Sequence, residues 1–195
     1  MKKTTFLLLS FFIVLIAFAQ DKPEGLFINS KAPDFALKDQ YGATVTLKDL
    51  RKKGQTVLLF YRGSWCPYCN RELKAFQDSL GLILTKKAQL IAITPESPEG
   101  IDSMVKKHSV VFPILYDEGA KTLQAYQVAY KPDEKTVSRY KMAGIDLLNK
   151  NKQKEVVLPV PAVYIINSEG TVTYRYFDEN YKRRVSIAEI VKNIQ

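Results

Sequence analysis

Cysteine is scarce in this chain, with two residues in 195. So few thiols exclude a small domain stapled by several disulfides. Histidine is scarcer still: His108 stands alone. A structural zinc site would therefore need carboxylates or a second chain to complete its ligands. Methionines number three and no His cluster exists, which gives little support to a soft-metal carrier holding Cu(I) through two thiolates, the non-enzymatic alternative. No Gly-rich phosphate loop or serine-hydrolase motif is present, and no cofactor or metal is expected. Long basic runs are also missing. The formal net charge of +9 is dispersed over short groups such as Arg51-Lys52-Lys53, Lys86-Lys87, Lys106-Lys107 and Lys182-Arg183-Arg184. That pattern reads as a solvated basic surface rather than a nucleic-acid interface.

Only one apolar run is long. Phe6 to Phe18 follows Lys2 and Lys3 and runs into Ala17-Phe18-Ala19, the small-x-small pattern of a cleavage site. The run is shorter than the ~20 residues that span a bilayer. Residues 1–19 are read as a secretory signal peptide and 20–195 as one domain; any membrane attachment would come only from an uncleaved signal.

Both cysteines lie in one motif, Trp65-Cys66-Pro67-Tyr68-Cys69. A strand-like run, Thr56 to Tyr61, precedes it. A helix-like stretch, Asn70 to Lys87, follows, with Leu73, Phe76, Leu80 and Leu84 near helical spacing. A helix N-terminus offers unpaired N–H groups and a positive dipole end. A thiolate there has a lowered pKa, and a partner thiol three residues on can attack the resulting mixed disulfide. A purely structural disulfide is a weaker reading, because so short a loop removes little unfolded-chain entropy.

Elsewhere, residues 32–47 alternate around Gly42 as a hairpin, and Leu47 to Arg51 reads as a helical turn. Gln89 to Thr94 is a strand, Ser97-Pro98 opens a helix running to about His108, and Phe112 to Tyr116 is a further strand. Asp117 to Gln127 is helical. Residues 131–158 form a Lys-rich, partly helical, solvent-facing insertion. Pro161 to Asn167 is a core strand, Thr171 to Phe177 returns antiparallel, and Val185 to Asn193 is a last helix. Alternating strands and helices imply a sheet covered on both faces. His108 is read as a surface residue at a helix end.

Strand, sharp turn and helix beginning at the cysteines resemble the thioredoxin fold: a central mixed sheet flanked by helices, here with an N-terminal hairpin extension. The resemblance implies that Pro161 is cis and faces the cysteines, leaving Val160's backbone free to pair with substrate. More widely, Ala32-Pro33-Asp34-Phe35, Phe60 to Cys69, Phe112 to Asp117 and Phe177 to Arg184 resemble the alkyl hydroperoxide reductase/thiol-specific antioxidant (AhpC/TSA) family, in its peroxiredoxin-like branch that carries Cys-x-x-Cys. That family places Pro, Thr and the peroxide-reactive Cys in one loop and an Arg on a later strand. By that resemblance Cys69 falls at the reactive position, Cys66 replaces the Thr, Arg62 replaces the Pro, and the later Arg falls near Pro161.

The expected protein is an exported thiol oxidoreductase of the periplasm or cell envelope, cycling a Cys66/Cys69 dithiol. Trp65, Pro67, Val160 and Pro161 are candidate substrate-positioning residues, and Arg62 or Arg184 a replacement charge stabiliser. Thiol–disulfide exchange is the favoured chemistry and peroxide reduction the alternative. Either uses a protein disulfide or a peroxide as substrate and a thioredoxin-like reductant. Either cysteine could attack first. Protein from the native host is expected to begin at Gln20; an intact mass retaining residues 1–19 would show the leader to be uncleaved.

Overall fold

The computed structural model describes residues 22–195; the expected signal segment lies outside them. Among the described residues no helix is long and apolar enough to cross a membrane.

The chain opens with a hairpin, β1 (Ala36–Lys38) and β2 (Thr44–Thr46). Its turn is fastened by Asp39, whose carboxylate accepts from the Tyr41 and Ala43 N–H groups. α1 (Leu47–Arg51) follows, capped by the Thr46 hydroxyl. Then come β3 (Thr56–Phe60), α2 (Pro67–Asp78), α3 (Leu80–Thr85), β4 (Gln89–Thr94), α4 (Pro98–His108) and β5 (Ile114–Tyr116). A 3-10 turn (Glu118–Ala120), α5 (Lys121–Ala125) and β6 (Ala129–Tyr130) lead to α6 (Glu134–Met142) and α7 (Leu147–Asn151). β7 (Leu158–Pro159), β8 (Ala162–Ile166), β9 (Val172–Phe177) and α8 (Ile187–Asn193) complete the chain.

Seven strands form one sheet in the order β2-β1-β5-β4-β3-β8-β9. β3, β4 and β5 run parallel, while β8 and β9 are antiparallel to their neighbours. This is the thioredoxin-like α/β fold with an N-terminal hairpin. β3 is buried on both faces, which its unbroken run of Val57, Leu58, Leu59 and Phe60 already signals. Val57, Leu59 and Tyr61 face one core with Leu73 and Phe76 of α2, Met104 of α4 and Ile190 of α8. Leu58 and Phe60 face the other with Leu47, Ile93 and Tyr126. Both cysteines belong to the first core.

Two expectations need correction. The single helix over residues 70–87 is two helices, broken where Ser79 leaves helical geometry (φ −107°, ψ 9°). Ser79 and the nearby Gly81 both weaken a helix interior. The second concerns Pro161. Among the described residues no peptide bond is cis, so Val160–Pro161 is trans. Pro159 pairs with Ala129 in a second, two-stranded sheet, and the Val160 N–H donates to the Val128 carbonyl at 2.8 Å. That pairing takes up the Val160 N–H, one of the backbone groups that was expected to be free for substrate.

Phe76 fixes the site helix to the sheet, being 1% exposed. Phe76→Ala is expected to cost about 3–5 kcal/mol, read as a lowered midpoint of urea unfolding for the reduced protein.

Candidate active site

β3 carries the chain to the end of the sheet, and Gly63 turns it back. Gly63 has φ +151°, and a Cβ there would meet Trp65 Nε1 at 2.3 Å. The tight turn therefore depends on a missing side chain. Cys66 is the N-cap of α2 and Pro67 opens the helix, where a missing N–H costs nothing. Cys69 lies in the first turn. Both thiols are free and buried, with Cys66 1% and Cys69 0% exposed.

Their environments push them apart. The Cys69 thiol and its backbone N–H stabilise the Cys66 anion, lowering its pKa from 9.0 to about 6 against the cost of burial; Arg62 and Arg184 add positive charge. Cys69 is pushed the other way, chiefly by burial and then by the negative charge of Cys66 and Glu72. At neutral pH the pair is one thiolate and one thiol.

Two arginines flank the pair. Arg184, in the loop before α8, donates Nε to Glu72 at 2.5 Å and sets Nη2 3.7 Å from Cys69 Sγ. Glu72 sits one turn along α2 from Cys69. Burial raises its pKa to about 7, outweighing the Arg184 charge. Arg62 is 2% exposed. Its guanidinium lies 4.9 Å from the Trp65 ring, 5.5 Å from Tyr140 and 4.4 Å from Tyr181, and Nη2 donates to the Tyr140 hydroxyl at 2.5 Å. Among the described residues, Arg62 Nε and Trp65 Nε1 are buried without a hydrogen-bond partner. These charges favour thiolate and disfavour a bound cation, which weighs against the Cu(I) alternative.

The loop is clamped from both sides. Glu96, fully buried, accepts from the Ser64 N–H at 2.6 Å and the Ser64 hydroxyl at 2.8 Å. A Cβ at Gly100 would meet Glu96 Cδ at 2.2 Å, so α4 gives that carboxylate room. Asn70 donates Nδ2 to the Ser64 and Cys66 carbonyls at 2.6 and 2.8 Å, and its Oδ1 lies 2.8 Å from His108 Nε2. His108, expected at the surface and apart from the cysteines, is half-buried and one side chain removed from them.

The structure thus brings together Trp65, Pro67, Arg62 and Arg184 around Cys66 and Cys69. Val160 and Pro161 sit at the mouth of β8, whose Ala162 pairs with Phe60. Sequence reasoning did not single out Glu72, Asn70, Glu96 or Tyr140. Helical spacing could have found Glu72, three residues after Cys69. Tyr140 lay beyond such reasoning, because the insertion was expected to face solvent and instead reaches the cysteine loop. Beside α2 an open cleft of about 310 Å³ is lined by Tyr68, Arg71, Glu72, Phe76, Arg184 and Ile187.

Fold and paired thiols define a thioredoxin-fold, thiol-based oxidoreductase. Residues 28–175 match the AhpC/TSA family, and the chain belongs to that family. It is similar to the thiol-disulfide oxidoreductase ResA of Bacillus cereus, 31% identical over 175 residues, spanning 89% of this chain and 83% of that one. It is also similar to the peroxiredoxin Bcp of Bacillus subtilis, 36% identical over 161 residues, spanning 83% and 91%. In fold it is similar to the peroxidoxin BcpB of Mycobacterium tuberculosis, with a TM-score of 0.67 at 16% identity over 86% and 95% of the two chains. The relatives divide between disulfide and peroxide chemistry.

In the reduced protein, alkylation of Cys66 by iodoacetamide is expected to rise with pH through a midpoint near 6. Cys69→Ala removes the thiol that stabilises the anion and should move the midpoint upward. A wild-type midpoint near 9, the ordinary thiol value, would contradict this assignment.

Proposed function

We propose that the protein catalyses thiol–disulfide exchange, with Cys66 as nucleophile and Cys69 as resolving thiol. The observation that carries this reading is the placement of the two sulfurs: Cys66 at the N-cap of α2, where Cys69 and two arginines favour its anion, and Cys69 fully buried inside the first turn. The Cys66 thiolate attacks one sulfur of a substrate disulfide. A new S–S bond forms, the old one breaks, and the electron pair leaves on the distal sulfur as thiolate. Cys69 passes its proton to the released substrate thiolate, attacks Cys66 Sγ and expels the second substrate thiolate, closing the Cys66–Cys69 disulfide. A reduced thioredoxin-like partner restores the dithiol with two electrons. Arg62 stabilises the Cys66 anion, while Arg184 favours the Cys69 anion during resolution. Trp65 and Pro67 shape the rim, and the Val160 N–H is engaged by the Val128 carbonyl.

Peroxide reduction is the second reading. The Arg184 guanidinium beside Cys69 favours it, since that is the position aligned with the peroxide-reactive cysteine. Against it stands Cys69's protonation: a buried thiol with a raised pKa is a poor nucleophile. Export to the periplasm or cell envelope, supported by Lys2-Lys3 and the apolar run after them, would require an electron donor outside the cytoplasm.

The two chemistries separate in stopped flow at neutral pH. Thiol loss with a disulfide substrate is expected to outpace loss with hydrogen peroxide by an order of magnitude or more at equal concentration. Cys69→Ser should trap a mixed disulfide through Cys66. A peroxide rate equal to or above the disulfide rate, or trapping only by Cys66→Ser, would overturn the proposal.

A further inference from the structure

Cys66 has the charge of a nucleophile but almost no surface. Arg62, whose charge acts on it, belongs to a connected series of rings and cations drawn from three separate segments. Arg71 lies 4.6 Å from the Tyr68 ring, and Tyr68 stands edge-on to Tyr181 at 5.7 Å. Tyr181 faces Arg62 at 4.4 Å. Arg62 bonds Tyr140, whose ring meets Trp65 edge-on at 5.1 Å. The series passes from α2 across the cysteine loop to α6.

Its α6 end is the loosely held one. No residue of α6 is buried. Asp133 caps the helix through the Thr136 N–H and hydroxyl, so the helix carries its own N-terminal closure. The hydrogen bonds of the 133–145 segment are internal, except the one that Arg62 donates to Tyr140. Gly144, with φ +79° and open space around it, ends the segment. The neighbouring α7 is fastened instead. The Ser97 N–H donates to the Lys150 carbonyl at 2.9 Å, Tyr116 Oη donates to the Asn151 carbonyl at 3.3 Å, and Lys152 pairs with Glu99 at 2.5 Å.

We propose that Tyr140 is a specificity-determining residue: its bond with Arg62 holds α6 as a cap over Cys66, and the cap favours small-molecule disulfides over those embedded in folded proteins. The proposal rests on the disulfide-exchange reading above. Attack at sulfur needs the leaving sulfur opposite the incoming thiolate, so the substrate must place atoms on both sides of its S–S bond near Cys66. A small disulfide needs little displacement of the aromatic rings to do so. A folded protein brings backbone on both sides, and α6 must swing away to admit it. The Tyr140 hydroxyl is the one hydrogen-bond acceptor that Arg62 has among the described residues, so releasing α6 also strips a buried guanidinium of its hydrogen bond. That couples the opening of the cap to a cost borne mainly by the bulky substrate.

The test uses reduced protein from residue 20 onward, with hydroxyethyl disulfide as the small probe and insulin as the protein probe. Trp65, the sole tryptophan, reports single-turnover oxidation by fluorescence. Tyr140→Ala is expected to raise the insulin-to-hydroxyethyl-disulfide rate ratio by about tenfold or more, the scale of losing one hydrogen bond to a charged group. Tyr140→Phe keeps the ring, loses the acceptor and should raise the ratio by a smaller factor, with unchanged far-UV circular dichroism. A ratio unchanged in both variants, or equal acceleration with both probes, would overturn the cap as a selectivity device. Reduction of either probe that survives in Cys66→Ser would instead refute the exchange reading itself.

Discussion

A sulfur anion at the N-terminus of α2 is the constraint that the surrounding structure answers to. Cys66 is buried, and burial alone would raise a thiol pKa. Lowering it from 9.0 to about 6 requires roughly 4 kcal/mol of preference for the anion over the thiol. No single contact supplies this. The Cys69 thiol and N–H come first, and two guanidinium groups follow. Each has to be held in place, and most of the unusual features near the site are the means of holding them.

The second arginine shows the cost of the arrangement. Arg184 is largely buried and needs a counter-charge, which Glu72 provides at 2.5 Å. Glu72 is itself buried and so titrates near neutrality. A carboxylate, a guanidinium and a thiol are thus packed into an otherwise apolar core. Such groups stand only when they are mutually satisfied. Arg62 solves the same problem differently, by lying among three aromatic rings and one phenol oxygen. Aromatic faces attract a cation without neutralising it, so its field remains available to Cys66.

Geometry in the loop is held as firmly as the charge. Ser64 is gripped by Glu96 from the α4 side and, through its carbonyl, by Asn70 from α2. His108 fixes Asn70's other end. These contacts join the loop to α2 and α4 on that face of the sheet. Little of the loop can shift without breaking a buried hydrogen bond, and an unmade buried bond costs more than a made one contributes. The exception is the α6 side, where attachment runs through Tyr140.

Much of this was legible in the chain itself. Cys66 and Cys69 declare the chemistry because no other thiol exists, and Pro67 with the apolar run before it places them at a strand-to-helix turn. Alternating strands and helices were enough to define the sheet and its covering layers, since those signals are local and periodic. Tertiary structure alone decided what surrounds the sulfurs. Arg184 lies 115 residues from Cys69, Tyr140 78 residues from Arg62, and His108 38 residues from Asn70. No spacing rule links such pairs, because their proximity follows from how helices and loops pack on the sheet. The pairing of β6 with β7 beside Pro161 was hidden for the same reason, being made by strands of two residues each that leave no periodic trace. Local sequence specifies which groups can react; long-range packing sets their charge, their exposure and what can reach them.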